Sequence, residues 1–222
     1  MPLKNIAPLI GKPLISYTIE AALVSGALAD VVVSTDDEAI AEVARGAGAQ
    51  VPFTRPAELA TDAAESIGVI LHALERMEAI KAVTYDAVMM LQPTTPLRRT
   101  DQIARAVKML ADAADADGVV SIVDVEGWHP FRMKRLVGDR VVNFIDQGFE
   151  DMRPRQVLPK VYIRSGSIYL IRRNSLLRHR MLVGPNTLGL IIDDHSAINI
   201  DNRLDFAMAE ILMQEAQKAG TR

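Results

Sequence analysis

Short apolar runs alternate with longer stretches of helical periodicity through the first half of the chain. The helical stretches are Pro13 to Gly26 and residues 37–44, 66–81 and 101–113. Proline in a first turn and glycine after a last turn are common at helix boundaries. The pattern therefore predicts four helices interleaved with apolar strands.

The apolar runs lack the polar alternation of a strand that has one face in water. They cover residues 30–35, 85–91 and 118–123. Strands of this kind, joined by helices, are buried on both faces. We therefore predict a parallel sheet with helices on both sides, which is a doubly wound α/β layer.

The alternation of apolar runs with helical stretches ends after Val125. Shorter β-like pieces follow at 140–144, 161–163 and 167–171, before an apolar run at 190–192 and a closing helix at 204–218. We expect one domain over residues 1–222, with a β-rich subdomain inserted within it at residues 126–173.

Composition places the chain among ordinary globular proteins, with 49% hydrophobic and 24% charged residues. No apolar run approaches the ~20 residues that span a bilayer, and the first residues do not resemble a signal peptide. With no cysteine and four scattered histidines, the sequence lacks the residues for a disulfide framework, a thiolate site or a zinc cluster. We expect a cytoplasmic protein without a membrane partner.

Charge is unevenly distributed. Residues 132–180 contain twelve Lys or Arg and four acids, a local charge of +8 in a chain whose net charge is −3. A single basic stretch in an acidic protein fits a small anionic ligand better than a nucleic-acid backbone. A basic face that only meets solvent is the alternative.

Polar residues follow three of the predicted strands, at 34–37, 92–98 and 124–126. Ligands of open α/β sheets bind beyond the carboxyl ends of the strands. The second segment is the most unusual, because two prolines fix its backbone while Gln92, two threonines and Arg98 supply polar groups. For Asp36 and Asp37, which precede a helix, we expect a capping role.

Characteristic short segments recur along nearly the whole chain. They are Leu3–Asn5, Gly11–Ile15, Val33–Asp37, Arg55–Asp62, Leu91–Arg98, His129–Pro130, Pro154–Gln156 with Leu158–Pro159, Gly166–Tyr169, Asn199–Asp201 and Leu204–Phe206. In this order they resemble the CMP-sugar synthetases, typified by acylneuraminate (sialic acid) cytidylyltransferase. The resemblance implies a three-layer α/β/α, Rossmann-like nucleotide-diphospho-sugar transferase fold. It also implies a homodimer formed through the inserted subdomain.

The resemblance implies a nucleotide site. Lys4 and Asn5 match the end of the nucleotide-binding loop, where Lys4 places a cation near the triphosphate and is also expected to be catalytic. Arg55 and Ser66 match further nucleotide contacts.

The resemblance also implies a site for an acidic sugar, formed by Gln92, Lys134, Arg155 and Tyr169. An arginine can pair bidentately with a carboxylate, while an amide and a phenol can orient hydroxyl groups. Lys134 and Arg155 belong to the basic stretch described above.

Asp201 matches a magnesium carboxylate of the family, and it is also expected to be catalytic. Mg²⁺ is commonly held by few carboxylates and several waters while it stays bound to phosphate oxygens. Asn199 stands where the family usually has a second acid, and its amide oxygen can ligate the metal without supplying charge. A cap of the closing helix is the alternative role for Asp201 and is compatible with metal binding, and Asp205 is expected to stabilise the same helix from its first turn.

Two further departures from the family affect the expected activity. Ser165-Gly166-Ser167 replaces the common Asn-Gly-Ala before the tyrosine, at a place that faces the sugar. The resemblance also places a central strand and a glycine-rich phosphate-binding loop ahead of Pro2–Asn5. Without them we expect unpaired strand edges or a gap in the sheet, and we expect Met1 to be internal to a longer protein.

We therefore expect transfer of CMP from CTP to an acidic 2-keto-3-deoxy sugar, with release of pyrophosphate and with Mg²⁺ as cofactor. CTP and the sugar are the expected partners, and nucleic acid is not. Legionaminic, pseudaminic and eight-carbon keto acids are alternative substrates, and a noncatalytic binding or assembly protein is the alternative outside enzymes. A dehydrogenase is disfavoured because no G-x-G-x-x-G follows any predicted strand.

Overall fold

The computed structural model describes residues 3–61, 63–146, 148–218 and 220. Its α-helices are α1 (Leu14–Val24), α2 (Glu38–Gly46), α3 (Ser66–Lys81), α4 (Thr100–Asp112), α5 (Arg173–His179) and α6 (Arg203–Lys218). Its strands are β1 (Pro8–Leu9), β2 (Lys12–Pro13), β3 (Ala87–Leu91), β4 (Gly118–Asp124), β5 (Lys134–Val137), β6 (Arg140–Asn143), β7 (Tyr162–Arg172) and β8 (Thr187–Ile191). Met1, the expected internal methionine, and Asp62, the last residue of one family-like segment, lie outside the described residues.

The five helices predicted from periodicity are confirmed as α1, α2, α3, α4 and α6. Helix α3 begins and ends at the predicted residues. Asp37 caps α2 as expected, because its side chain accepts a hydrogen bond from the Ile40 amide at 3.0 Å. The seven-residue α5 was not predicted, since it is too short to show a periodic apolar face.

The central sheet has the strand order β3-β7-β4-β8. Strand β7 is antiparallel to both β3 and β4, whereas β4 and β8 are parallel. The expectation of a wholly parallel sheet was therefore wrong. An apolar run shows that a strand is buried but does not fix its direction, and β7 follows a long excursion of the chain that lets it return in the opposite sense.

Strand β7 joins two pieces that the sequence separated. The predicted pieces at 161–163 and 167–171 form one strand, with a register shift opposite Val120 and Ile122. Gly166 lies inside this strand with a φ of 78°, a left-handed conformation that suits glycine. The small polar residues around Gly166 interrupt the apolar run without ending the strand.

The predicted strand at residues 30–35 was wrong as an extended ladder. Val32 forms only an isolated parallel bridge with Gln50, supported by backbone bonds from Val33 to Gln50 and from Gln50 to Val31. A strand needs partners along its edges to form a ladder. The opposite edge of this segment faces a cavity instead.

A cavity of about 930 Å³ lies beside β3. The segment Val31–Val33 and strand β3 both line it, and apolar residues of α1, α3 and α4 are among its other lining residues. Open space rather than a strand ladder therefore lies between Val31–Val33 and β3.

Helices cover both faces of the central sheet. Ile103 and Ala106 of α4 pack with Ile168 of β7 on one face. Ile70 and Leu74 of α3 pack with Ile171 on the other. These side chains are all at most 7% exposed, so the architecture has three layers, as predicted.

The chain between β4 and β7 forms the β5–β6 hairpin and several short 3-10 turns. Large apolar side chains are exposed here, including Trp128 at 82%, Leu136 at 72% and Val141 at 65%. The end of the predicted insertion, from Tyr162 onward, belongs to the central sheet. Among the described residues, no helix combines the length and apolarity needed to cross a membrane.

Candidate active site

Several predicted site residues line the cavity that runs along β3. Asn5, Arg55, Ser66 and Gln92 all contribute to its wall. Gln92 directly follows β3, and Ser34 and Thr35 directly follow the segment paired with Gln50. The structure thus brings the predicted nucleotide residues and one predicted sugar residue around a single space.

Lys4 and Asp201 meet although they lie near opposite ends of the chain. Lys4 Nζ donates to the Ile200 carbonyl oxygen at 2.7 Å and lies 3.8 Å from Asp201 Oδ1. Ile200 is fully buried against Leu9 and Leu14, which anchors this contact in the core. The Lys4 ammonium is therefore placed beside the carboxylate predicted to bind metal.

Asn199 lies beside the same carboxylate. Its Nδ2 donates to Asp201 Oδ2 at 2.7 Å, while its Oδ1 is buried and has no hydrogen-bond partner among the described residues. A buried amide oxygen without a partner is costly unless something occupies its lone pairs. One carboxylate and one amide oxygen suit a hard cation that keeps most of its ligands as water and phosphate oxygens. These residue types can ligate Mg²⁺, although Asn199 turns its Nδ2 rather than its Oδ1 toward Asp201.

Helix α6 does not use Asp201 as its cap, so that expectation was wrong. Asn202 Oδ1 accepts from the amides of Leu204 and Asp205 at 2.8 and 3.1 Å. Asp205 Oδ2 in turn accepts from the amides of Asp201 and Asn202 at 2.9 and 3.0 Å, which confirms its first-turn role. This reciprocal capping leaves the Asp201 carboxylate available for another function.

Arg55 is held against the chain that follows Val33. Its Nε donates to Ser34 Oγ at 3.2 Å, its Nη2 donates to the Ser34 carbonyl oxygen, and its amide donates to the Thr35 carbonyl oxygen at 2.9 Å. Burial lowers the pKa of Arg55, and the nearby Asp36 opposes that shift. The guanidinium is thus fixed in place at the cavity wall.

Gln92 packs closely against Gly166. A Cβ atom at Gly166 would lie 2.7 Å from Gln92 Oε1, so a larger residue would have to displace that side chain. Arg98 bonds to the Gln92 carbonyl oxygen at 2.8 Å and to the Ser167 carbonyl oxygen at 2.7 Å. The sequence identified Arg98 only as a polar group, and its role in joining the turn after β3 to β7 was not predicted. Its position after two prolines was the one indication of such a role.

The other predicted sugar residues lie on β7 and in the segment between β4 and β7. Tyr169 is 8% exposed on β7, opposite Met90 and Val120. Lys134 pairs with Glu150, and Arg155 pairs with Glu126 at 3.0 Å. Within the described part of the chain, no hydrogen bond or ion pair joins Lys134 or Arg155 to Gln92 or Tyr169.

Part of the basic stretch has structural partners. Arg172 donates to the carbonyl oxygens of Leu110, Ala113 and Ala116, which satisfies the end of α4. Arg173 forms an ion pair with Glu78 at 2.7 Å. The local charge of +8 therefore overstates the positive charge available to a ligand.

A family model described as Cytidylyltransferase matches residues 1–137. The chain belongs to the cytidylyltransferase family. Because the matched region extends from the N-terminal residues to the end of β5, it includes Lys4, Asn5, Arg55, Ser66, Gln92 and Lys134.

Similar curated proteins span nearly the whole chain. CMP-N,N'-diacetyllegionaminic acid synthase of Legionella pneumophila is 33% identical over 99% of this chain and 93% of its own length. Pseudaminic acid cytidylyltransferase of Campylobacter jejuni is 32% identical over 96% of this chain and 90% of its own. N-acylneuraminate cytidylyltransferase of Escherichia coli is 33% identical over 97% of this chain, but only 49% of its own length is covered.

Solved structures support the fold. CMP:2-keto-3-deoxy-manno-octonic acid synthetase in complex with CTP has a TM-score of 0.67 at 20% identity, covering 97% of this chain and 93% of that one. 4-diphosphocytidyl-2C-methyl-D-erythritol synthase has a TM-score of 0.61 at 14% identity, covering 95% and 94%. The predicted nucleotidyltransferase fold is confirmed.

Proposed function

We propose that this chain transfers CMP from CTP to a nonulosonic acid. The anomeric hydroxyl oxygen forms a bond to the α-phosphorus, the bond between that phosphorus and the bridging oxygen to the β-phosphate breaks, and pyrophosphate leaves as the hydroxyl proton is lost. The observation that carries the proposal is that Asn5, Arg55, Ser66 and Gln92 line one cavity. The relatives named above support the class of reaction.

The nucleotide side of the proposed site comprises Lys4, Asn5, Arg55 and Ser66. Arg55 is fixed by Ser34 and lies at the cavity wall, where a rigid guanidinium suits recognition of an anionic or polar ligand. Lys4 places its ammonium beside Asp201, where positive charge is useful as negative charge shifts to the leaving pyrophosphate.

Asp201 and Asn199 are the proposed ligands of Mg²⁺. The ion, when bound, neutralises charge on the phosphate oxygens and orients them. Asp201 contributes the negative charge, and the buried Oδ1 of Asn199 contributes a neutral acceptor. Lys4 competes weakly for the Asp201 carboxylate at 3.8 Å, so we expect a metal that binds firmly only together with the nucleotide.

Gln92, Lys134, Arg155 and Tyr169 are the proposed residues for the acidic sugar. The contact of Gln92 with Gly166 supports a sugar-side wall formed by the turn after β3 and the Gly166 segment inside β7. Lys134 and Arg155 are exposed and paired with acids of their own segment. They can contact a sugar bound beside Gln92 only if those ion pairs break or if the residues come from a second protomer.

We further propose that the chain forms a homodimer through the segment between β4 and β7. A monomer rarely exposes a large contiguous apolar surface, yet this segment exposes Trp128, Leu136, Val141, Phe144 and Met152 by 61–82%. Burial of these side chains in a dimer would remove their apolar surface from water. It would also bring the basic residues of the segment to the partner.

The proposed reaction is tested with CTP, Mg²⁺ and a panel of N-acetylneuraminic, N,N'-diacetyllegionaminic, pseudaminic and 2-keto-3-deoxy-manno-octonic acids. Pyrophosphate release that requires CTP, Mg²⁺ and one of these sugars supports the proposal and identifies the substrate. A folded chain that binds CTP but releases no pyrophosphate with any of them would favour the noncatalytic alternative. The open space beside β3 supports this alternative, because it adjoins the part of the cavity wall assigned to the nucleotide.

A further inference from the structure

Arg98 is a buried cation at the junction of three elements. Only 5% of the residue is exposed. Its guanidinium donates to Thr18 Oγ1 of α1, to the Gln92 carbonyl oxygen and Thr95 Oγ1 of the turn after β3, and to the carbonyl oxygen and Oγ of Ser167 in β7, at 2.5–3.1 Å. Every one of these acceptors is uncharged.

No carboxylate in the described part of the chain forms an ion pair with Arg98. Burial lowers the pKa of Arg98 to about 9, so the side chain still carries its charge at neutral pH. A buried charge without a counter-ion is destabilising even when its hydrogen bonds are complete. A fold that needed only a rigid link here could use a neutral residue at lower cost.

The position of this charge relates it to the sugar side of the cavity. Arg98 bonds to the backbone of Gln92, whose side chain lines the cavity and packs against Gly166. It also bonds to Ser167, the next residue after Gly166. The cation therefore bridges the turn after β3 and the Gly166–Ser167 segment of β7, and it fixes one relative to the other.

We propose that Arg98 is a positioning residue that makes the sugar-side wall selective for an anionic sugar. The guanidinium holds the Gln92 turn against the Gly166–Ser167 segment of β7, and its positive charge, which has no counter-ion, favours a carboxylate bound on the cavity side of them. This inference rests on the proposed function, and it deepens that function by adding to the direct contacts proposed for Lys134 and Arg155 a contribution from a residue that does not touch the sugar. The relevant ligand class is a sugar carboxylate.

The experiment measures binding rather than turnover. Each of the four sugar acids of the panel is compared with its C1 carboxamide in the presence of CTP and without added metal. The ratio of the two affinities reports the preference for the anion. The native chain is expected to bind one acid at least tenfold more tightly than its amide, and Arg98→Gln to lose most of that ratio while its affinity for CTP changes by less than threefold.

Two further variants separate charge from architecture. Arg99→Gln alters the neighbouring arginine, which is exposed and paired with Asp101, and is expected to leave the ratio unchanged. Arg98→Lys keeps a cation but lacks the planar guanidinium with its several donors. The sugar acid and its carboxamide should therefore both bind more weakly, while the preference for the acid persists near neutral pH. Burial lowers the pKa of an ammonium from a smaller starting value than that of a guanidinium, so this preference should fall at a lower pH than the preference of the native chain, which should fall only as the pH passes about 9.

The outcomes decide the inference independently of catalysis. An acid-to-amide ratio near one in the native chain, or an unchanged ratio in Arg98→Gln, would overturn it. If Arg98→Gln does not fold, the pH dependence of Arg98→Lys decides, and a ratio that stays constant with pH would overturn the role of charge. A native chain that prefers the acid but releases no pyrophosphate would contradict the proposed reaction and leave the role of Arg98 supported.

Discussion

Lys4 Nζ lies 3.8 Å from Asp201 Oδ1 and donates a 2.7 Å hydrogen bond to the carbonyl oxygen of Ile200, a residue 196 positions away in the chain. The contact joins the turn before β1 to the loop before α6. It places a cation and a carboxylate side by side at the proposed phosphate site. Because Asp201 is exposed, this ion pair contributes little to stability. We therefore expect its main role to be in catalysis.

Asp201→Asn should lower the rate of pyrophosphate release at least 100-fold and raise the Mg²⁺ concentration needed for half-maximal rate. The physical reason is loss of the only negative charge that Asn199 and Asp201 together offer the metal. Asp205→Asn is the matched control, because Asp205 stabilises α6 through two backbone amides. It should lower the free energy of unfolding by about 1 kcal/mol without changing the Mg²⁺ requirement. An unchanged Mg²⁺ requirement in Asp201→Asn would contradict the assignment.

Arg55→Gln should raise the KM for CTP about tenfold and leave the KM for the sugar within twofold. Arg55 is fixed by Ser34 at the wall assigned to the nucleotide, so its loss removes a contact on that side only. Arg45→Gln removes an arginine of an exposed pair with Glu38 and should change neither constant. Steady-state kinetics with each substrate varied in turn would measure both, and equal changes in the two KM values would argue against a nucleotide role.

The amide protons of β3 that do not bond to β7 should exchange with solvent deuterium faster than those of β4. Strand β4 has β7 on one edge and β8 on the other, whereas β3 has a strand on one edge only among the described residues. The other edge faces the 930 Å³ cavity. Backbone groups without a protected partner exchange through small local openings. Residue-resolved hydrogen exchange that shows equal protection for both strands would contradict the open space beside β3.

Asp151 should titrate well below an ordinary carboxyl. Hydrogen bonds from the Arg153 guanidinium lower the pKa of Asp151 to about 2, despite the burial that opposes the shift. A lowered folded-state pKa contributes stability above the unfolded value of ~4 and loses it as the pH falls toward 2. Carboxyl NMR should show the pKa rising toward 4 in Arg153→Met and staying near 2 in Arg140→Met, which alters an exposed arginine of β6. A pKa that is unchanged in Arg153→Met would exclude this pair as the cause.

Leu136→Glu should shift the chain from dimer to monomer at micromolar concentration. Leu136 is 72% exposed in the segment proposed to form the interface, and a buried charge there would oppose association. Val24→Glu replaces an apolar residue of α1 that is 74% exposed outside this segment, and it should leave the mass unchanged. Sedimentation equilibrium would measure both variants. A native chain that stays monomeric would contradict the proposed interface.

Elements with a strong local pattern could be predicted from the sequence. Helix α3 has the predicted boundaries because its apolar residues recur over four turns, and β3 and β4 were recognised as uninterrupted apolar runs. The direction of β7 could not be predicted in this way, since apolar content does not encode strand direction. Val31–Val33 has strand composition but lacks a neighbour on one edge, so composition alone led to the wrong structure there.

The candidate site was predictable to the extent that its residues lie in recognisable segments. Asn5, Arg55, Ser66 and Gln92 were named from such segments and line one cavity. The pairing of Lys4 with Asp201 depends on packing between distant parts of the chain and was not foreseen. The role of Arg98 also was not foreseen, because the burial of an arginine can be recognised only once its acceptors on α1 and β7 are in place.

The most direct measurement follows the α-phosphate of CTP. CTP labelled at the α-phosphorus is incubated with the chain, Mg²⁺ and each sugar acid of the panel, and the products are separated and counted. The proposed function predicts that the label appears in a CMP-sugar in a one-to-one ratio with unlabelled pyrophosphate. Label recovered only as CTP, CDP or free CMP, with no sugar conjugate for any acid, would contradict it.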